Sequence, residues 1–391
     1  MRCLRPTLFA GAVVVLAACS DEGVNPVTPP SADGVPVLMS RGINQGIPDS
    51  YIVVLKEGAD PRSVAAVAAA NPRFVYEAAL NGFAATLNAG QLNALRNNPN
   101  VEYIEQDQVM TTDATQSNAT WGLDRINQRN LPLDGSYTYT YTGSGVRAYI
   151  IDTGLQANHP QFGTRAQNVY NAISGESAAD CNGHGTHVGG TVGGSIHGVA
   201  KAVLLRGVKV LSCSGSGSTS GVIAGIDWVR VNHVKPAIAN MSLGGGKSDA
   251  QNTAVTNLSN AGVFVAVAAG NENADACTKS PASTPVAYTT AASDKTDTRA
   301  TFSNYGSCVD AYAPGVGITS AWINSGTNTI SGTSMASPHV AGVSALVKHR
   351  YGDISSASVT SYLNNALTAS KIKNNPSGTK NALLYKYVTA W

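Results

Sequence analysis

The chain has 391 residues, with 26 Lys and Arg against 24 Asp and Glu and a formal net charge of +2. Charged residues are 13% and hydrophobic residues 43%, against a usual charged share of about 25%. The chain is too apolar to be wholly disordered and has no basic excess for a phosphate backbone, so nucleic acid is excluded as an expected partner; its length suits one large core plus a smaller unit.

A basic start, Met1-Arg2-Cys3-Leu4-Arg5, precedes an apolar run over 8–18. A bilayer span needs about 20 residues, so the run has the layout of a signal peptide over 1–19, and the mature protein is expected outside the cytoplasm. Leu16-Ala17-Ala18-Cys19 is similar to a bacterial lipobox, with an ordinary secretory signal as the alternative. A lipid on Cys19 would tether only the precursor, and no other membrane attachment is expected. Residues 20–47, with Pro26, Pro29, Pro30 and Pro36, are expected to form a flexible linker.

The next segment reads as a small α/β unit. Residues 50–56 are rich in β-branched side chains and predict a strand. Asp60 and Pro61 open an Ala/Val helix to about residue 70. Strands are expected over 73–79 and 82–87, a short helix over 89–96, and a last alternating strand over 101–107. The order β-α-β-β-α-β implies a ferredoxin-like split βαβ unit. Residues 108–120 are polar, exposed and suited to proteolysis.

Three later motifs carry chemistry. Residues 146–154 form an apolar strand ending in Asp152-Thr153-Gly154, and sites form at that end of strands in open α/β sheets. Asn182-Gly183-His184-Gly185-Thr186-His187 places a histidine among glycines at a helix start, without the glutamate of an H-E-x-x-H zinc motif. Gly332-Thr333-Ser334-Met335-Ala336-Ser337-Pro338 opens an uncharged helix whose unpaired N–H groups would face Ser334, with Pro338 expected in the first turn. Taken singly, Asp152 reads as a turn residue and Ser334 as a helix cap. Together, a carboxylate, an imidazole and a hydroxyl are the set that activates a serine nucleophile. Six cysteines are present. Cys3 and Cys19 belong to the targeting segment; Cys181, Cys213, Cys277 and Cys308 make two disulfides with three possible connectivities, and no C-x-x-C favours zinc.

The order Asp, His, Ser resembles that of subtilisin. The phrases IDTG, NGHGTHV and GTSMASPHVAG resemble the subtilases, in particular the proteinase K and aqualysin branch. The resemblance runs over 119–391 and includes Ala119-Thr120-Trp121-Gly122-Leu123-Asp124-Arg125-Ile126 and Ser242-Leu243-Gly244-Gly245-Gly246. Residues 50–107 resemble that family's inhibitory propeptide.

This resemblance implies an α/β, three-layer subtilisin-like fold with a mainly parallel sheet, preceded by a ferredoxin-like α+β propeptide. The implied division is 48–113 for the propeptide and 114–391 for the enzyme, with cleavage between Met110 and Gln116, best at Asp113–Ala114. The propeptide tail would lie along the glycine-rich edges as a bound product. By similarity Ser334 is the nucleophile, His184 the general base, Asp152 its orienter and Asn271 an oxyanion donor. Ser242, Leu243, Gly244 and Gly245, the opposite edge Gly215 and Gly217, and Ala268, Ala269 and Gly270 would bind a peptide through its backbone. That implies broad specificity, with apolar or aromatic side chains at P1. Lys279 departs from the branch, which carries Tyr near that rim. The implied disulfides are Cys181–Cys213 and Cys277–Cys308. No cofactor is implied for catalysis. Structural calcium is implied at Asp310 with the carbonyls of Pro285 and Ala287, and at Asp124, Asn127 and Gln128, where Asn127 replaces a carboxylate. The implied enzyme is a monomeric, exported, self-processing serine endopeptidase acting on polypeptides. A silent fold used for binding is disfavoured because Asp152, His184, Ser334 and Asn271 are all present. An esterase of the α/β-hydrolase kind is disfavoured because its G-x-S-x-G elbow is absent.

Overall fold

The structure, a computed structural model, describes residues 34–39, 46–109 and 114–387. The signal peptide, Cys19, most of the linker and residues 110–113 before the expected cut lie outside the described residues. The chain forms two compact units, one centred on Pro48–Asp107 and one that begins at Gln108.

In the first unit a five-stranded sheet runs, in spatial order, Val37–Leu38, Val101–Gln108, Gly46–Leu55, Gly82–Thr86, Pro72–Tyr76. Without the first short strand this is the split βαβ order expected from the sequence. Helix Pro61–Val67 starts because Asp60 accepts from the N–H groups of Arg62 and Ser63 and Pro61 occupies the first turn. It stops earlier than the expected residue 70, and Ala69 takes a left-handed φ of 50°. Helix Ala89–Arg96 is closed by a capping box between Asn88 and Gln91. Strand residues, among them the alternate pairs Val53/Leu55 and Phe83/Ala85 together with Val101 and Ile104, meet Val64 and Leu95 in one core. The linker is shorter than expected: Val37 pairs with Ile104, and Val35 and Val37 pack on this core, so apolar burial orders the segment.

The second unit holds a nine-stranded sheet. In spatial order its strands are Thr368–Ala369, Ala382–Leu383, Ala311–Pro314, Tyr288–Ser293, Phe264–Ala268, Ala237–Met241, Arg147–Asp152, Leu204–Lys209 and Ala166–Asn171. Every pairing is parallel except that between Thr368–Ala369 and Ala382–Leu383. The central strands are mainly apolar because both faces are covered. Ala148 and Ile150 point into a core with Val188 and Val192 of helix His184–Gly193 and Val340, Val343 and Val347 of helix Thr333–Tyr351. Tyr149 and Ile151 point the other way, onto Val222, Ile226 and Val229 of helix Thr219–Asn232 and Val255 and Leu258 of helix Asp249–Asn260. The period of two along one strand thus builds three layers. After Leu204–Lys209 the chain crosses to the other side of Arg147–Asp152, which puts the end of that strand at a topological switch point.

Two expectations change here. Ala114–Ser117 is largely exposed as expected, but it forms a strand that pairs antiparallel with Ser136–Tyr139. Pro338 is not in the first turn: helix Thr333–Tyr351 begins five residues before it.

The packing of helix Trp121–Asn127 depends on a buried ion pair. Arg125 is 0% exposed and donates from Nε to Asp297 at 2.6 Å and from Nη2 at 3.0 Å. Its Nη1 donates to the Gln128 carbonyl at 2.7 Å. Removing one partner strands a buried charge. Arg125→Met is therefore expected to lower stability by about 3–5 kcal/mol, read from urea unfolding; an unchanged midpoint would contradict the role given to the pair.

Candidate active site

Asp152 closes the central strand Arg147–Asp152 and is 0% exposed. Its Oδ1 accepts from the Thr153 amide at 2.7 Å and from His184 Nδ1 at 2.7 Å. A carboxylate only accepts, so Nδ1 carries the proton and Nε2 keeps a free lone pair. Asp152 Oδ2 is buried and has no hydrogen-bond partner among the described residues. His184 begins the helix His184–Gly193. Burial opposes the charged imidazole, but the Asp152 carboxylate, by charge and hydrogen bond, and Asp180, by charge, outweigh it and hold the histidine above its ordinary range.

The glycines around His184 have steric reasons. A Cβ on Gly183, whose φ is +106°, would lie 2.4 Å from the Trp322 ring, and one on Gly185 would lie 2.1 Å from the Gly154 carbonyl. Only bare backbone lets the helix start come this close to the strand end. The neighbouring His187 serves the core: Nε2 donates to the Ile318 carbonyl at 2.9 Å, and burial pushes its pKa down to about 4.

Ser334 is the second residue of helix Thr333–Tyr351. Its hydroxyl donates to the Ser242 carbonyl at 3.1 Å, and the Ser242 hydroxyl donates back to the Ser334 carbonyl at 2.8 Å. The second bond has a cause in the sequence. In a helix the Ser334 carbonyl would accept from residue 338, but that residue is proline and has no N–H. Ser242 supplies the missing donor, and its own oxygen accepts from Asn240 Nδ2 at 2.8 Å. Asn240 in turn accepts from Ser337 at 2.7 Å.

Asn271 Oδ1 accepts from the amide of Thr333 at 2.8 Å and from its hydroxyl at 3.0 Å. That fixes the amide oxygen and turns the NH₂ group away from Thr333. A methyl group on Gly332 would lie 3.6 Å from the Ser334 nitrogen and 3.7 Å from Asn271 Nδ2. Two N–H donors therefore border one small space beside the serine. Ala268 and Ala269 are buried and lead from the strand Phe264–Ala268 into Asn271; Gly270 donates to the Thr333 hydroxyl at 3.0 Å.

A cleft of about 430 Å³ is lined by His184, Gly215, Gly217, Ser242, Leu243, Gly244 and Gly245. Thr153, Leu211, Thr219, Val222 and Gln251 line it too and were not foreseen. They carry no motif; the only signal was that Thr219 and Val222 follow Gly217 closely in a new helix. Asp180, which touches both ends of the site, was also missed. Lys279 pairs in the sheet with Gly246, and its Nζ lies 3.7 Å from the Glu272 carboxylate.

The four cysteines pair as Cys181–Cys213 and Cys277–Cys308, with Cα separations of 5.0 and 5.3 Å. The two calcium sets differ. Asp310 is buried enough to push its pKa up to about 6. One oxygen accepts from the Thr289 amide at 2.7 Å, which leaves carboxylate capacity; Pro285 and Ala287 precede Thr289 closely in the chain. A half-buried carboxylate with spare lone pairs is the kind of oxygen donor that a hard cation takes. In the other set, Asp124 accepts from the Gly135 amide at 2.7 Å, Asn127 Oδ1 accepts from the Thr138 amide at 3.1 Å, and the Gln128 amide nitrogen donates to the carbonyls of Asn130 and Pro132 at 2.5 and 2.6 Å. These groups are engaged within the chain.

Residues 143–384 match the Subtilase family domain and residues 50–113 the Peptidase inhibitor I9 domain. The chain belongs to the subtilase family of serine proteinases, and it carries the inhibitor-type domain of a zymogen ahead of the catalytic one. It is 50% identical to an extracellular serine proteinase of Thermus sp. (strain Rt41A), over 95% of this chain and 97% of that one. Proteinase R of Parengyodontium album is 43% identical over 91% of this chain and 95% of its own length. The crystal structure of a cold adapted subtilisin-like serine proteinase superposes with a TM-score of 0.69 at 52% identity, covering 70% of this chain and all of that one.

The raised histidine makes a measurable statement. A group whose folded pKa exceeds its unfolded value of 6.5 stabilises the fold fully below that value and loses the contribution as pH rises through the folded pKa. NMR titration of the His184 ring should give a midpoint above 6.5, and Asp152→Asn should bring it down; a midpoint unmoved by that variant would remove Asp152 as the cause.

Proposed function

We propose that the protein is an exported serine endopeptidase that cleaves polypeptides through an acyl-enzyme, with Ser334, His184 and Asp152 as its triad. The hydrogen bond from His184 Nδ1 to the buried Asp152 carries this reading, because it leaves Nε2 free as a base at the rim of the cleft. In the reaction the Ser334 hydroxyl leaves the Ser242 carbonyl and gives its proton to Nε2 as Oγ attacks the peptide carbonyl carbon. The Ser334 amide and Asn271 Nδ2 donate to the oxyanion; one such donor is worth about 10²–10³ in turnover. The imidazolium then protonates the leaving amine, and water attacks the acyl-enzyme by the same route in reverse.

The substrate lies extended between Ser242–Gly245 and the Gly215–Gly217 edge, held through its backbone. Gly245 and Gly246 support this, since nothing lies within 4 Å of where their Cβ atoms would be. Backbone recognition gives broad specificity. At the P1 rim the Lys279 amine is engaged with Glu272 rather than free.

Residues 1–19 act as the export signal, the residues after them as a linker that ends before Val35, 48–113 as the inhibitory propeptide and 114–391 as a monomeric enzyme, with cleavage at Asp113–Ala114. Catalysis takes no cofactor. Asp310 with the Pro285 and Ala287 carbonyls holds a structural calcium ion, and Cys19 carries a lipid on the precursor alone.

Expressing Ser334→Ala beside the wild type tests the triad. The variant is expected to keep its propeptide attached and to cleave no peptide substrate; equal processing would remove Ser334 as the nucleophile. Labelled palmitate in the same cells should mark the wild-type precursor and not Cys19→Ala, and a labelled variant would end the anchor proposal. For calcium, EDTA should lower the melting temperature of the wild type but not of Asp310→Asn. A wild-type melt indifferent to EDTA would dismiss the site.

A further inference from the structure

His184 stands where a helix would work against it. It is the first residue of helix His184–Gly193, and the positive end of a helix dipole disfavours an imidazolium. The reaction proposed above needs that imidazolium. Gly183 precedes the helix and has no side chain to cap it.

Asp180 meets both needs. Its Oδ1 accepts from the Thr153 hydroxyl and from the Asn182 and Gly183 amides, each at 2.9 Å. Its Oδ2 accepts from the Thr186 amide at 2.9 Å and the Thr186 hydroxyl at 2.6 Å. Thr153 follows Asp152 directly, and its hydroxyl oxygen also accepts from the Gly185 amide at 2.8 Å. One carboxylate, 8% exposed, is thus bonded to the strand end that bears Asp152 and to the helix start that bears His184. Its own loop is held as well: Cys181 is bridged to Cys213, and Asn182 Nδ2 donates to the Cys213 carbonyl at 3.0 Å.

We propose that Asp180 is a positioning residue of this active site: it locks the Asp152 strand end to the His184 helix start, and its charge offsets the helix terminus under the imidazolium formed in the reaction. The inference rests on the protease reading. Other groups facing His184 do not supply this charge. Asp152 lies on the strand side, at Nδ1. His187, on the same helix, is neutral at working pH because burial pushes it down to about 4. Lys209, from the next strand, is committed to the Thr153 carbonyl at 2.9 Å and to Glu176 at 3.2 Å. Asp180 also acts on His184 in the required direction, raising its proton affinity.

The test is the pH profile of kcat/KM on a chromogenic peptide, measured on the processed protein. Asp180→Asn keeps the size of the side chain and removes the charge. The acid limb is expected to move to lower pH by about half a unit to one unit, while kcat on the plateau falls by about tenfold from the loosened geometry. A purely structural role would lower the amount of folded protein and leave the acid limb in place, and that result overturns the proposal. If Asp180→Asn yields no folded protein, Asp180→Glu is read instead: the charge stays and the reach changes, so the acid limb should hold while kcat falls. An unchanged kcat there overturns the proposal too. A wild type that cleaves no more peptide than Ser334→Ala would instead overturn the protease reading itself, so the two failures are distinct.

Discussion

The site depends on one buried charge. Asp152 has no exposed surface, and an ionised carboxylate in that position is costly unless its surroundings answer it. The parallel sheet supplies the surroundings. Lys209 is in register with Asp152 on the neighbouring strand, yet its amine reaches past to the Thr153 carbonyl and Glu176. That leaves the Thr153 amide and His184 to satisfy Asp152. The fold thus reserves the carboxylate for the histidine, instead of neutralising it with the nearest lysine.

A second requirement is that three separate elements end at the same place. The strand Arg147–Asp152, the helix starting at His184 and the helix starting at Thr333 come from distant parts of the chain. Each junction is fixed by a local departure from regular structure. Gly183 and Gly185 give up side chains so the helix can touch the strand end. Pro338 gives up an N–H, which frees the Ser334 carbonyl for Ser242. The helix that carries Ser334 is consequently tied to Ser242 by a bond that an alanine at 338 would make redundant.

Much of this was legible in the residues. Period-two alternation placed the strands, and Asp60, Asn88 and their neighbours marked the helix starts of the first unit. The motif phrases contain Asp152, His184 and Ser334, while Asn271 and the cysteine pairing followed the family likeness. The pairing of the linker's end and of Ala114–Ser117 was not legible: Val37 finds Ile104 and Ala114 finds Tyr139 only once the chain is folded. The Asp124, Asn127 and Gln128 set showed oxygen-bearing residue types, but not that backbone donors and carbonyls already engage them.

By itself the sequence determined the class of chemistry and the order of the elements, because both are written in local patterns: residue types, glycine placement and hydrophobic period. Only the tertiary structure decided which groups share a hydrogen bond. Asp180 illustrates the division. In the sequence it is an acidic residue beside a cysteine. In the fold five donors, from Thr153, Asn182, Gly183 and Thr186, converge on it. Such convergence depends on a strand and a helix meeting from distant parts of the chain, and no local pattern encodes a distance across the fold.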